Sequence, residues 1–161
     1  MLLRKYLTDE QQPVAARVAA CLLLLYALPI SRILRLTRHD LLDADDELFL
    51  RLGDPPSPVP GPLAPLLRQL ADASPPQHGW LFPGRNSGQP ITHRALFFKL
   101  RKLGFAVGEA RVSALRQLVL QAPAPVIAAA LGVHHTTTTR QAVNAGTTWS
   151  RYAPGEHDPS P

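Results

Sequence analysis

The sequence predicts a mainly α fold with a small antiparallel β-sheet, an α+β domain. Three observations predict it. Val14 to Leu28, VAARVAACLLLLYAL, is rich in alanine and leucine and apolar nearly all round, the pattern of a buried helix. Glu47 to Leu52, ELFLRL, partly alternates and has the character of a strand. The proline-dense stretch Gly53 to Pro62 after it is no central strand, but leaves room for one extended edge pair around Val59. From Ala110 to Gly146 the chain reads as two helices in tandem, a turn and a third helix. Pro123 and Pro125 break the first and open the second, because proline fits a helix's first turn but not its interior. The alternative is a plain helical domain without a strand pair. A short sheet between about Glu47 and Val59, flanked by helices, distinguishes the two.

Taken in order, Met1 to Pro13 is a short lead of mixed charge, in which Asp9 or Glu10 can help begin a helix. The Val14–Leu28 helix follows, and Pro29 turns its corner. Ser31 is the N-cap expected for a second helix, RILRLTRHDL, with Ile33, Leu34 and Leu36 inward and Arg32, Arg35 and Arg38 outward. Asp43 to Asp46 is turn-like and precedes the Glu47–Leu52 strand. Leu63 to Leu70 is a helix with Arg68 exposed, and Ala73 to Gln77 a loop. Trp80 to Phe82 is a short buried segment ending in a Pro83-Gly84 turn, and Asn86 to Gly88 is loop. Thr92 caps HRALFFKLRKLG and Gly104 closes it. Leu96, Phe97, Leu100 and Leu103 face inward there, with Arg94, Lys99, Arg101 and Lys102 around the rest. Ile127 to Leu131 is a short apolar helix ended by Gly132, and His134 to Arg140 can cap and start another. The domain therefore spans 14–152, between a lead at 1–13 and a tail at 153–161 whose proline, glycine and charge predict disorder.

Charge is segregated. The formal net charge of the 161 residues is +5 and the pI about 10.0, which suits a polyanionic partner. Half of the acids lie between Asp40 and Asp54. From Arg94 to Arg116 there are six basic residues (Arg94, Lys99, Arg101, Lys102, Arg111, Arg116) against one acid, Glu109. That pattern favours one basic face, the alternative being an ordinary solvated helix surface. The single cysteine, Cys21, excludes an internal disulfide, and no Cys/His spacing suggests zinc or another metal. No cofactor is expected. The apolar run from Val18 to Ile30 is too short to span a bilayer, and MLLRKYLTDE lacks the order of a secretory signal. A cytoplasmic protein without a membrane role is the expectation.

The order of these motifs resembles the catalytic domain of tyrosine recombinases, the phage integrase family. LLLLYALPISRILRLTRHDL is similar to that family's first helix pair. ELFLRLG followed by VPGPLAPLLRQL is similar to its strand pair and the helix after it. LFPG with GQPITHRALFFKLRKLG is similar to the segment before its second catalytic arginine, and ALGVHHTTTTR to its LGHxxxxTT motif. The likeness runs from about Val14 to Tyr152; the N-terminal DNA-clamping domain usual in such enzymes is absent from this sequence. It implies duplex DNA as partner, in a context of DNA recombination and integration, with other recombinase-family subunits as candidate companions.

In that family two arginines and a histidine surround the scissile phosphate, a lysine protonates the leaving hydroxyl, and a tyrosine forms a covalent phosphotyrosyl link. On this sequence the first arginine falls on Pro29, while Arg32, one helical turn on, stands where the family has a glutamate. No lysine lies between Gly53 and Val59. The HxxR motif falls on Gly108 to Arg111, so Arg111 is retained and its histidine is not; Ser113 to Arg116 looks like a degraded second copy. The LGH histidine falls on Val133, beside His134, and the nucleophile on Ala142. Arg111 alone of the set is kept, and the resemblance then implies a DNA-binding pseudoenzyme of mobile-element origin. The DNA-contacting residues expected are Arg94, Lys99, Arg101, Lys102, Arg116, His134, His135 and Arg140. The remaining histidines, His39, His78, His93 and His157, are expected at the surface, and Trp149 and Tyr152 packing the closing helix. Alternatives are a helix-turn-helix module using Ala128 and Gly132 at its turn, a recombinase completed by a partner's groups, and a decayed gene product.

Overall fold

The computed structural model describes residues 2–76 and 79–131. It is mainly helical with one three-stranded antiparallel sheet, as the composition of elements predicts and the plain helical alternative does not.

Helix α2 (Val14–Tyr26) is the centre of the molecule. Val18 through Leu23 are wholly buried, as a helix apolar on every side requires. Around it pack α1 (Leu2–Thr8), α3 (Ile30–Ile33), α4 (Ala64–Ala73), α5 (His93–Lys102) and α6 (Val107–Gln121). The helix ends at Tyr26, two residues short of the expected Leu28 end, because Ala27 takes a left-handed turn at φ 52°, and Pro29 then opens α3.

Two expectations at the N-terminal half need correction. The lead is largely helical: α1 lays Tyr6 into the core, with its ring edge-on to Phe105 at 5.6 Å. The expected second helix lasts four residues, Ile30–Ile33, and begins after Pro29 rather than Ser31. The chain then tightens into a 3₁₀ turn, Arg38–Asp40, because Thr37 and Asp40 close a reciprocal capping box. From there it enters β1 (Leu41–Ala44), which pairs antiparallel with β2 (Glu47–Leu50), and β2 with β3 (Ser57–Pro58). The turn residues Asp45 and Asp46 both have positive φ, 50° and 66°, the twist a two-residue hairpin needs. The turn is thus two residues long, and Asp43 belongs to a strand. Its carboxylate accepts from Arg68 of α4 at 2.6 Å; both groups are solvent-exposed, so the pair contributes little. Val59, just past β3, donates its backbone N–H to Leu48 at 2.9 Å.

In the second half, α5, α6 and α7 (Ala124–Leu131) follow the sequence closely. Thr92 Oγ1 accepts from Ala95 N–H at 3.2 Å, and Gly104 turns at φ 75° to end the helix. Leu96, Leu100 and Leu103 are buried and Phe97 is half-buried against the core. Ala122-Pro123 separates α6 from α7, with Pro125 in the first turn of α7. The end of α7 is tied to the sheet region: Asp54 N–H donates to Ala129 O at 3.0 Å and Ser57 Oγ to Ala130 O at 3.3 Å. No helix among the described residues is long and apolar enough to cross a membrane. The further helix expected to start within His134 to Arg140, and the tail at 153–161, lie outside the described residues.

Cys21 is fully buried on α2, and burial pushes its thiol up to about 12. The folded protein therefore keeps the proton that the unfolded chain gives up near pH 9, so this group's contribution to stability falls as pH rises from about 9 toward 12. A thiol reagent at neutral pH is expected to find no reactive group in the native protein and one per chain in denaturant; native labelling at the denatured rate contradicts the packing.

Candidate nucleic-acid interface

The site is built where three segments meet. The first is α3 with the turn after it, which presents Ser31, Leu34 and Arg35. The second is the loop before α5. It begins as an extended segment held to the first by Leu81 N–H on Leu36 O at 2.9 Å and Arg38 N–H on Gly79 O at 2.8 Å. It then doubles back: Gly84 N–H donates to Gln89 O at 2.9 Å and Ile91 N–H to Phe82 O at 2.7 Å. Trp80 Nε1 closes the loop on Gly88 O at 3.1 Å. Glycine is required at 84, since an added Cβ would sit 2.6 Å from Pro90 O. The third segment is the start of α5, aimed by this loop and capped by Thr92.

Between them lies a groove of about 1090 Å³. Arg35, Arg85 and Lys99 line it, with His93 beside them and no carboxylate. The first turn of α5 opens into it, and a helix's first-turn N–H groups add partial positive charge there. Asn86, Gln89 and Thr92 supply neutral polar groups. The groove can hold an anion, and Lys99 joins it to the basic helix α5.

That helix carries Arg94, Lys99, Arg101 and Lys102, all exposed, and no acid. Lys99 belongs to both groove and helix face. The guanidinium of Arg94 lies 5.6 Å from the ring centre of Phe98, and that of Arg101 6.0 Å from Phe97. Part of this charge has a local role, because cations in a last turn favour the helix dipole.

Comparison with protein-family models, with curated proteins and with solved structures finds no match to this chain.

The expected contact residues divide into three sets. Arg94, Lys99, Arg101 and Lys102 are brought together on α5. Arg116 is exposed on α6, apart from the groove lining. Arg111 is half-buried, and its Nε donates to Ala27 O at 2.9 Å, so it also holds α6 against the end of α2. His134, His135 and Arg140, like Val133 and Ala142, lie outside the described residues, as do His78, Trp149, Tyr152 and His157. His39 and His93 are exposed. Arg32 donates to Leu52 O, and Arg38 to Ser74 O. No group of three metal-ligating side chains occurs among the described residues.

Arg35 and Arg85 were not singled out by the sequence. Arg35 is expected on the outer face of a helix that ends before it, at Ile33, and Arg85 falls between the expected Pro83-Gly84 turn and Asn86 to Gly88 loop with no role assigned. A sequence signal was available for Arg85 alone: a basic residue between a Pro-Gly turn and a Thr N-cap lies near that helix's positive end.

Proposed function

We propose that this protein binds duplex DNA through the α5 face and its adjoining groove, on a domain of the tyrosine-recombinase type that does not cleave its DNA. One observation carries the DNA reading: a groove of about 1090 Å³ lined by Arg35, Arg85 and Lys99 without a carboxylate, at the capped start of an acid-free basic helix. Such a surface neutralises phosphates and releases their counterions, which is most of what non-specific affinity requires.

The recombinase reading is supported by element order and by one contact. A helix pair, an antiparallel sheet and a further helix follow one another as the resemblance implies. Arg111, aligned with the family's second arginine, bonds to Ala27, two residues from Pro29, where the family's first arginine falls. The Arg111 side chain thus reaches the end of α2, within two residues of the other position expected to flank the phosphate, which supports the reading. Pro29 has no charge to offer it, Gly108 no imidazole, and Ala142 no nucleophile. Without a tyrosine there the covalent intermediate cannot form.

A nicked duplex that traps covalent protein–DNA adducts tests the second half of this reading. The expected result is no adduct, alone or with a recombinase-family partner. A denaturant-stable adduct contradicts it and favours a working enzyme completed by other groups. The helix-turn-helix alternative draws on buried Ala128 in the α6–α7 pair. It requires a base-specific footprint that His134→Ala, His135→Ala and Arg140→Ala erase; binding indifferent to sequence removes it.

A further inference from the structure

Phe98 has no place in the reading given above. It is 48 % exposed in the middle of a basic helix, while its neighbours Leu96 and Leu100 are fully buried. The ring is no part of the buried core, and half of it faces solvent. It is nevertheless held in place. Phe97, half-buried against the core, meets it edge-on at 6.2 Å with the planes 72° apart, and Arg94 lies against it at 5.6 Å. Along the helix, Arg94 comes one turn before Phe98, and Arg101 and Lys102 one turn after, about 6 Å to either side in axial rise. The order on this face is cation, aromatic ring, cation.

An intact duplex offers phosphates to such a face but no open base to the ring, because its bases are stacked on one another. An unpaired nucleotide offers both: one base face, with a phosphate on each side of it. Aromatic rings flanked by cations suit that combination regardless of base identity, since every base has a π-face. We infer that Phe98, with Arg94 on one side and Arg101 and Lys102 on the other, is a stacking platform for an unpaired base, so that the α5 face prefers gapped or locally opened DNA to intact duplex. The inference rests on the proposal that α5 binds DNA, and adds the structural class of DNA that it selects.

The test compares an intact duplex with the same duplex carrying a one-nucleotide gap, using the full chain and fluorescence anisotropy. The unpaired position carries 2-aminopurine, whose emission is quenched by stacking on neighbouring bases and rises when it leaves them for a phenyl ring. The gapped duplex is expected to bind on the order of tenfold more tightly, with a rise in emission. Phe98→Leu should lose both the preference and the emission change while still binding intact duplex, and Phe98→Trp should restore the preference. Circular dichroism establishes that both variants fold, as a half-exposed position should allow. Equal affinity of the wild-type chain for the two DNAs, or a preference that survives Phe98→Leu, overturns the inference and leaves duplex binding standing. Failure to bind any DNA at low salt overturns both.

Discussion

Arg17→Met is expected to cost about 2–4 kcal/mol of stability, an unusually large loss for removing a charged residue. Arg17 is the fourth residue of α2 and 4 % exposed. Its Nε donates to Tyr6 O at 2.8 Å and its terminal nitrogen to Leu7 O at 2.6 Å. These are carbonyls of the last turn of α1, which the helix itself leaves without N–H partners. The guanidinium therefore caps α1 and pins it to α2. No carboxylate among the described residues pairs with it, so the burial of its charge is offset by carbonyl dipoles and by the negative end of the α1 dipole. Methionine retains much of the stem's volume and removes both bonds. Charge-assisted bonds of this kind contribute about 1.5–3 kcal/mol each, part of which is returned when the cation no longer has to be desolvated. Arg17→Lys should recover only part of the loss, since an ammonium lacks the fork that reaches two carbonyls. Urea unfolding measures the change, and hydrogen exchange should show α1 amides losing protection first. A loss below about 0.5 kcal/mol, in the range of surface substitutions, contradicts this role.

The second large effect concerns binding. Arg101→Ala with Lys102→Ala is expected to weaken duplex-DNA affinity about 60-fold near 0.1 M salt, and to flatten the salt dependence by about 1.8 in log–log slope. Both numbers follow from the loss of two phosphate contacts, each releasing about 0.9 of a counterion. Both side chains are exposed, so folding should change by no more than about 0.5 kcal/mol. Arg111→Ala is the informative companion. Its bond to Ala27 O makes it a stability variant first, and it should lower the unfolding midpoint whether or not it changes binding. A double variant that binds as tightly as the wild-type chain removes α5 from the interface.

How much of this was legible in the sequence depended on whether the cause was local. Thr92 and Gly104 bracket α5 by side-chain capping and by a positive φ, and both are visible in the chain itself. The α2 run and the proline break before α7 are equally local. Three features were not. The helix expected after Ser31 fails because Thr37 and Asp40 satisfy each other in a capping box, and because Leu41 and Leu42 find a partner strand across the Asp45-Asp46 turn. Helix α1 is too short to be stable alone, so its existence depends on α2 and on Arg17, whose target cannot be seen without α1. The groove joins Arg35, Arg85 and Lys99, residues far apart in sequence that only the pairing of the 36–38 and 79–81 segments brings together. The same holds for Arg111 and Ala27, whose contact joins α6 to the end of α2 across a long stretch of chain.

The central claim is that the α5 face and its groove form a phosphate-binding surface. Equilibrium binding of the wild-type chain to a labelled duplex over a salt series tests it most directly. Engagement of four or five of the cations on this surface predicts clear binding at low salt, with log K falling against log salt at a slope of about −4. Absence of binding at the lowest salt, or binding with a slope near zero, would contradict the account and leave the cations of α5 as a solvated helix surface.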